Sequence, residues 1–192
     1  MGRGEYLKNK GLYFDSSYNP NLNFLICDKS NSKFLNLNKF SIIWAFKCTK
    51  NNRYNSFFSS AILDRGMFIE SDMKTFTTQI NGNRIHCYTT ITNFMDINLY
   101  EYQFDNGNCN LYINGSKCFS GYQSSSPCSL INPSNPSSAY FGNWYGAGSP
   151  NKNGIFGYLY CFRIYDYIHH IKNYNINYPF KNIEYCNNKY KE

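Results

Sequence analysis

Two carboxylates, Glu70 and Asp72, stand two residues apart in the stretch FIESDMK. In an extended strand that spacing puts both on one face, where a pair of carboxyls can flank a glycosidic bond as nucleophile or base and as acid. The next residue on that face is Lys74, and Thr75 occupies the place of the second Glu in an ExDxxE arrangement. A solvated strand end therefore accounts for the pair better than catalysis does. Histidine does not supply the missing chemistry. His86 stands alone, His169 and His170 are adjacent and so diverge on a helix, and none has a Ser or Cys partner in a recognisable nucleophile motif. The chain is read as not an enzyme.

Calcium needs several convergent oxygen ligands, and Asp105 with Asn106 and Asn108 offers part of such a set. Ordinary hairpin chemistry explains the same residues, so no metal and no cofactor is expected. Binding chemistry is better represented. Recognition of a sugar combines an aromatic plane for the apolar ring face with amide side chains for the hydroxyls, set in loops on a rigid scaffold. Trp144 and Tyr145 lead into a loop carrying Ser149, Asn151, Lys152 and Asn153, and Tyr122 and Gln123 open a second long loop. Trp144 shares strand parity with Tyr140 and is equally well read as core. Tyr122, Tyr145, Asn151 and Asn153 are therefore the candidate ligand-contacting residues.

These loops need strands to hold them. The clearest strand is FSIIWAFKC, in which Phe40, Ile42, Trp44, Phe46 and Cys48 alternate with Ser41, Ile43, Ala45 and Lys47. In NLYINGSKCF, the Asn114-Gly115 pair between β-formers is a strong hairpin signal, and YEYQFDNGN reads as a preceding strand ending at Asp105. Further strands are expected at 11–15, 57–63, 67–71, 75–80 and 84–91. The buried layer is expected to contain Phe40, Ile42, Trp44, Phe46, Leu111, Ile113, Phe162 and Ile164. Residues 121–138 hold three of the six prolines and read as a surface loop.

Aromatics make up 19% of the 192 residues and charged residues only 16%, a balance that suits pleated, half-buried surfaces. The formal charge of +7 comes from basic residues scattered singly, without the dense run or Arg-rich helix that a nucleic-acid footprint requires. No apolar run approaches the ~20 residues of a membrane span, and the N-terminus has no secretory core. Eight cysteines lack CxxC or zinc-type spacing, which leaves buried thiols and disulfides both open. Cys48 and Cys161 are placed on inward or intersheet positions. A two-residue turn at Asn114-Gly115 would set Leu111 opposite Cys118 and put Cys109 a diagonal step away. That is ~7–8 Å and outside disulfide reach.

Four pieces in order, GLYFDSSYNPNL (11–22), FSIIWAFK (40–47), YQFDNGNCNLYINGSK (102–117) and FGYLYCFRIYDYIHHIKNYN (156–175), resemble the concanavalin A-like, laminin-G-like jelly-roll superfamily, in its bacterial or viral branch. The resemblance implies an all-β fold, a two-sheet antiparallel jelly-roll sandwich. Its last strand returns near the first, and a short helix over 168–174 buries Ile168, Ile171 and Tyr174. The chain departs from the family where Tyr160 and Cys161 replace an acidic pair, and where His169 and His170 replace acids before the helix. One domain is expected over 1–192, with a core of about 11–175 and a C-terminal extension over 176–192.

Two readings of function emerge. One is a non-enzymatic, lectin-like or adhesion module that recognises a glycan or a surface protein. The other is a structural or decorative subunit of a virion or other surface assembly, contacting mainly protein neighbours. Either places the protein at an extracellular surface or on a virion, with no nucleic-acid partner and no membrane insertion.

Overall fold

The computed structural model describes residues 5–7, 11–15, 25–27, 39–51, 54–60, 65–70, 72–80, 83–88, 93–122, 131–132, 135–136, 139–142 and 154–170. Its strands are β1 (Glu5–Leu7), β2 (Gly11–Asp15), β3 (Leu25–Cys27), β4 (Lys39–Cys48), β5 (Tyr54–Ser60), β6 (Arg65–Glu70), β7 (Thr75–Ile80) and β8 (Asn83–Tyr88). They continue with β9 (Ile97–Asp105), β10 (Asn108–Ile113), β11 (Ser116–Tyr122), β12 (Ile131–Asn132), β13 (Asn135–Pro136), β14 (Ala139–Phe141) and β15 (Phe156–Tyr165). One sheet has seven strands in the order β1-β2-β15-β4-β9-β10-β11, and the other has six in the order β3-β14-β5-β6-β7-β8. The pairings within both are antiparallel. The fold is the expected two-sheet jelly-roll sandwich, closed by β15 between β2 and β4.

The alternation of β4 explains why the sheets face each other. Phe40, Ile42, Trp44, Phe46 and Cys48 point into one cluster with Tyr100, Tyr102, Leu111 and Ile113 of the same sheet. Phe57, Met67, Ile69 and Phe76 come from the opposite sheet. Trp44 is fully buried, stacks on Tyr100 at 5.1 Å and 8°, and meets Phe57 at 5.4 Å across the sheets. Phe162 and Ile164, expected in the buried layer, are partly buried and pack against this cluster.

Turn chemistry sets the hairpins. Asn106 and Gly107 have φ of 48° and 95°, and Asn114 and Gly115 of 52° and 75°. Two successive positive φ angles are what a tight two-residue hairpin turn demands. Ile113 pairs with Ser116 as expected, but a bulge between Leu111 and Tyr112 then shifts the ladder, so Leu111 faces Phe119 rather than Cys118. Cys109 is a reduced, buried thiol opposite Gly121, which agrees with the expectation that it does not bridge to Cys118.

A second bulge, between Leu159 and Cys161, reverses the parity of β15. Cys161 pairs with Ala45 and lies on the outer face of the seven-stranded sheet with Ile43 and Leu99, not between the sheets. It is disulfide-bonded, as is Cys118. Cys48 is a buried thiol, its pKa pushed up to about 12 by burial.

The expected loop over 121–138 contains more structure than its prolines suggested. β11 extends to Tyr122, and β12 and β13 form a separate ladder pairing Ile131 with Pro136 and Asn132 with Asn135. Residues 168–170 are irregular, and the remainder of the expected helix lies outside the described residues.

Candidate functional site

The carboxylate pair does not share a strand. Glu70 ends β6 and Asp72 sits in the following turn. Asp72 Oδ1 accepts hydrogen bonds from the backbone N–H of Lys74 (2.8 Å) and Thr75 (2.9 Å), and Oδ2 accepts from Thr75 Oγ1 (2.6 Å). Partial burial pushes its pKa up, but those three bonds and the nearby Lys74 charge outweigh it and hold the carboxyl below its usual range. Both oxygens are thus occupied in capping the turn. At the Asp105 hairpin, one oxygen accepts from Asn106 Nδ2 (3.0 Å) and the other meets Lys39 Nζ (3.2 Å). Ordinary turn chemistry again accounts for these side chains. Among the described residues, no group of three or more His, Cys, Asp and Glu is placed to hold a metal ion. His86 shares a 2.9 Å hydrogen bond with Thr77 Oγ1.

Tyr145, Asn151 and Asn153 lie outside the described residues, as do Trp144, Ser149 and Lys152. The base of their loop is well defined. Gly142 N–H donates to Phe57 O (3.0 Å), and Ile155 N–H donates to Gly142 O (3.0 Å), so the chain leaves and returns at one point. A Cβ on Gly142, at φ +92°, would come within 2.7 Å of the Phe14 ring. Glycine is required there. The loop base adjoins the C-terminal end of β4, where Thr49 N–H bonds Phe156 O. Tyr122, whose side chain is not described, pairs through its backbone with Asn108, beside the end of β4 that begins at Lys39. Ten residues of β4 separate those ends by roughly 30 Å. The backbone of Tyr122 and the loop base are therefore at opposite ends of the sheet.

The polar and aromatic groups that do converge are on the outer face of the seven-stranded sheet. After Tyr165 the chain turns back over that face. Ser41 Oγ accepts from His169 N–H (2.9 Å) and donates to His169 O (3.4 Å). Gln103 Nε2 donates to the same carbonyl (3.2 Å) and to Glu101 Oε1 (2.5 Å). His170 Nδ1 meets Glu101 Oε1 at 2.9 Å, and its ring lies 4.6 Å from that of Tyr112. Burial, with the Glu101 charge adding to it, raises the Tyr112 phenol pKa. The histidines diverge as expected, although on an irregular segment.

With its backbone fixed, the segment carries a ring array. Tyr165 and His169 stack at 4.4 Å and 17°, and Tyr167 meets them at 5.3 and 6.0 Å. Tyr167 is 48% exposed, Asp166 is exposed beside it, and Arg163 Nη1 donates to Tyr165 OH at 3.5 Å. An exposed ring plane flanked by a carboxylate, a guanidinium and an imidazole can stack on an apolar ring face and hydrogen-bond its substituents. The sequence reading missed this array because it assigned 168–174 to a helix. The available signal was the period-two spacing of Tyr165, Tyr167 and His169, which marks extended chain. Toward the loop-base end of the same face, Tyr158 contacts Tyr13 at 4.8 Å and Tyr160 at 6.3 Å.

No protein-family model matches the chain, and no curated protein matches it by sequence. Solved structures do share its fold. A carbohydrate-binding module (CBM40) of the Ruminococcus gnavus IT-sialidase, bound to α2,3-sialyllactose, aligns at TM-score 0.56 and 15% identity over 96% of each chain. The SAP-like pentraxin of Limulus polyphemus aligns at 0.52 and 16% identity, over 69% of this chain and 66% of its own. A putative carbohydrate-binding protein of Bacteroides ovatus aligns at 0.53 and 12%, with this chain spanning 38% of its length. These likenesses show a shared fold, the two-sheet antiparallel β-sandwich.

Proposed function

We propose that the domain is a non-enzymatic, lectin-like module that binds a glycan at an extracellular surface. The observation that carries the reading is the Tyr165–Tyr167–His169 array, in which the exposed Tyr167 ring stands beside the stacked, half-buried Tyr165 and His169 on a backbone pinned to Ser41 and Gln103. That combination suits a saccharide, whose ring has one apolar face and a rim of hydroxyls. The sialyllactose held by the R. gnavus module, and the carbohydrate-binding description of the B. ovatus protein, support a sugar as ligand on this scaffold. The loop over 143–153, with Tyr145, Asn151 and Asn153, offers a second contact region from the other end of the sheet. Asp72, with both oxygens engaged in its turn, supports binding without hydrolysis. The disulfides of Cys118 and Cys161 support an oxidising compartment.

A glycan array on the purified domain tests the reading. Glycan binding that falls at least tenfold in Tyr167→Ala with an unchanged melting temperature is expected. Loss on shortening 147–153 instead would move the contact to the loop. No glycan signal together with capture by a protein at the same surface would replace the reading by that of an assembly subunit. Release of reducing sugar from a β-glucan panel, abolished by Glu70→Gln, would overturn the non-enzymatic assignment.

A further inference from the structure

Along β15 the outer face of the seven-stranded sheet is roofed by tyrosines. Leu159 packs into the inter-sheet core, so its neighbour Tyr158 points outward, between its ladder partners Tyr13 of β2 and Lys47 of β4. The bulge then sets Tyr160 and Cys161 on that same outer side. Arg163 and Tyr165 follow at period two, opposite Ile43 and Ser41. Tyr160 and Tyr165 pack on the small cluster of Ile43, Ala45 and Leu99 and close it. Tyr13, Tyr158, Tyr160 and Tyr165 are all half-buried, so part of each ring still meets solvent.

Covering that cluster does not account for the whole row. Tyr13 and Tyr158 belong to neither buried cluster, yet their rings meet at 4.8 Å over the β2–β15 pair, and Tyr158 reaches Tyr160 at 6.3 Å. An aliphatic side chain would shield a sheet edge equally well, whereas a tyrosine keeps a flat apolar face with a hydroxyl at its rim. Burial, with Tyr158 adding to it, raises the Tyr160 phenol pKa, so that hydroxyl stays a donor at neutral pH. At the other end Arg163 Nη1 donates to Tyr165 OH (3.5 Å), and Tyr165 leads at 5.3 Å to the exposed Tyr167. The β4 partners of Tyr158 and Tyr165 are Lys47 and Ser41, six residues or ~20 Å apart. The aromatic row is thus far longer than one sugar ring, and Lys47 and Arg163 lie along it.

Resting on the glycan reading above, we infer that this row is a track for a linear saccharide chain, with successive sugar rings laid along β15 from Tyr167 to the Tyr13–Tyr158 pair. The tyrosine faces take the apolar sides of the rings, and the phenols, Arg163 and Lys47 hydrogen-bond the hydroxyls at their rims. Once one ring is held, the next binds intramolecularly, so affinity climbs with chain length until the track is filled. The Tyr165–Tyr167–His169 array is one end of the track, and the base of the 143–153 loop, where Phe156 begins β15, adjoins the other.

NMR titration with dimers and hexamers of the cellulose, xylan, mannan, chitin and polygalacturonate series tests the track. At least one hexamer is expected to bind ~10-fold or more tightly than its dimer. Tyr158→Leu and Tyr13→Leu, which keep apolar bulk but lose the flat ring, should each reduce that length gain while leaving the dimer affinity and melting temperature unchanged. Tyr167→Ala should weaken dimer and hexamer alike. Equal affinity for dimers and hexamers, or a length gain that survives both leucine variants, would overturn the track while a glycan-array signal leaves the glycan reading standing. Silence of the array and of every hexamer would remove both.

Discussion

Replacing Trp44 with Ala is the sharpest test of the sandwich. The indole is fully buried, stacked on Tyr100 at 5.1 Å, and touches Phe57 and Phe76 of the facing sheet at 5.4 and 6.2 Å. Truncating a buried large aromatic costs ~3–5 kcal/mol, through lost transfer free energy and the cavity left behind. The site lies at the upper end of that range, because rings from both sheets line the vacated space and neither sheet can collapse into it without breaking its own ladder. In a domain of this size each kcal/mol lowers the melting temperature by about 2–4 °C, so a fall of roughly 10–20 °C is expected. Thermal unfolding followed by far-ultraviolet circular dichroism measures it. Phe40→Leu, on the same face of β4, keeps most of the apolar volume and should fall clearly less. A Trp44→Ala melt within 2 °C of the parent would refute the inter-sheet placement of the residue and with it the register of β4.

Gly157 has φ +151°, and a Cβ there would stand 1.9 Å from the Lys47 carbonyl oxygen. Gly157→Ala should therefore cost more than the Trp44 truncation or abolish folding, read as loss of soluble, cooperatively melting protein. Asp72→Ala removes three hydrogen bonds from the β6–β7 turn and should cost about 1 kcal/mol by urea titration at pH 7, the site being exposed. Because the folded Asp72 pKa is lowered, its contribution is fully present above the unfolded value near 4 and is lost as pH falls through the folded value. The difference between parent and Asp72→Ala should accordingly shrink below about pH 4. A constant difference down to pH 2 would remove the carboxylate from the explanation. Iodoacetamide should leave Cys48 and Cys109 unmodified in the native protein and alkylate both in denaturant.

Local pattern was enough to read the parts of the fold that repeat every two residues. The alternation of 40–48 gave β4 its inward face, and Asn114-Gly115 and Asn106-Gly107 fixed two hairpins, because positive φ at consecutive positions selects those residues. The bulges were not legible. The extra residues beside Leu111 and at Tyr160 leave no break in composition, yet each inverts the facing of the residues beyond it in the strand, which is why the alternation puts Cys161 on the wrong side of the sheet. Glu101 and Gln103 look like solvated strand residues in YEYQFD, and their burial depends on His169 and His170, 66 and 69 positions further along. No window of sequence joins those partners. For the same reason the candidate surface at Tyr165–His169 was hidden inside an apparent amphipathic turn, while the four residues favoured as ligand contacts came from loop composition alone.

The hydrogen bond between Ile155 N–H and Gly142 O has an evolutionary consequence. It fixes the two ends of the eleven residues 143–153 at one point of the frame. Closing a flexible loop costs only about 0.6 kcal/mol more for each doubling of its length. A chain built this way can lengthen, shorten or rewrite that segment at almost no penalty to the sandwich. If this loop is a contact region, as proposed above, its sequence can change between copies whose cores stay nearly the same, and the Gly142 to Ile155 junction is the place to graft a new segment.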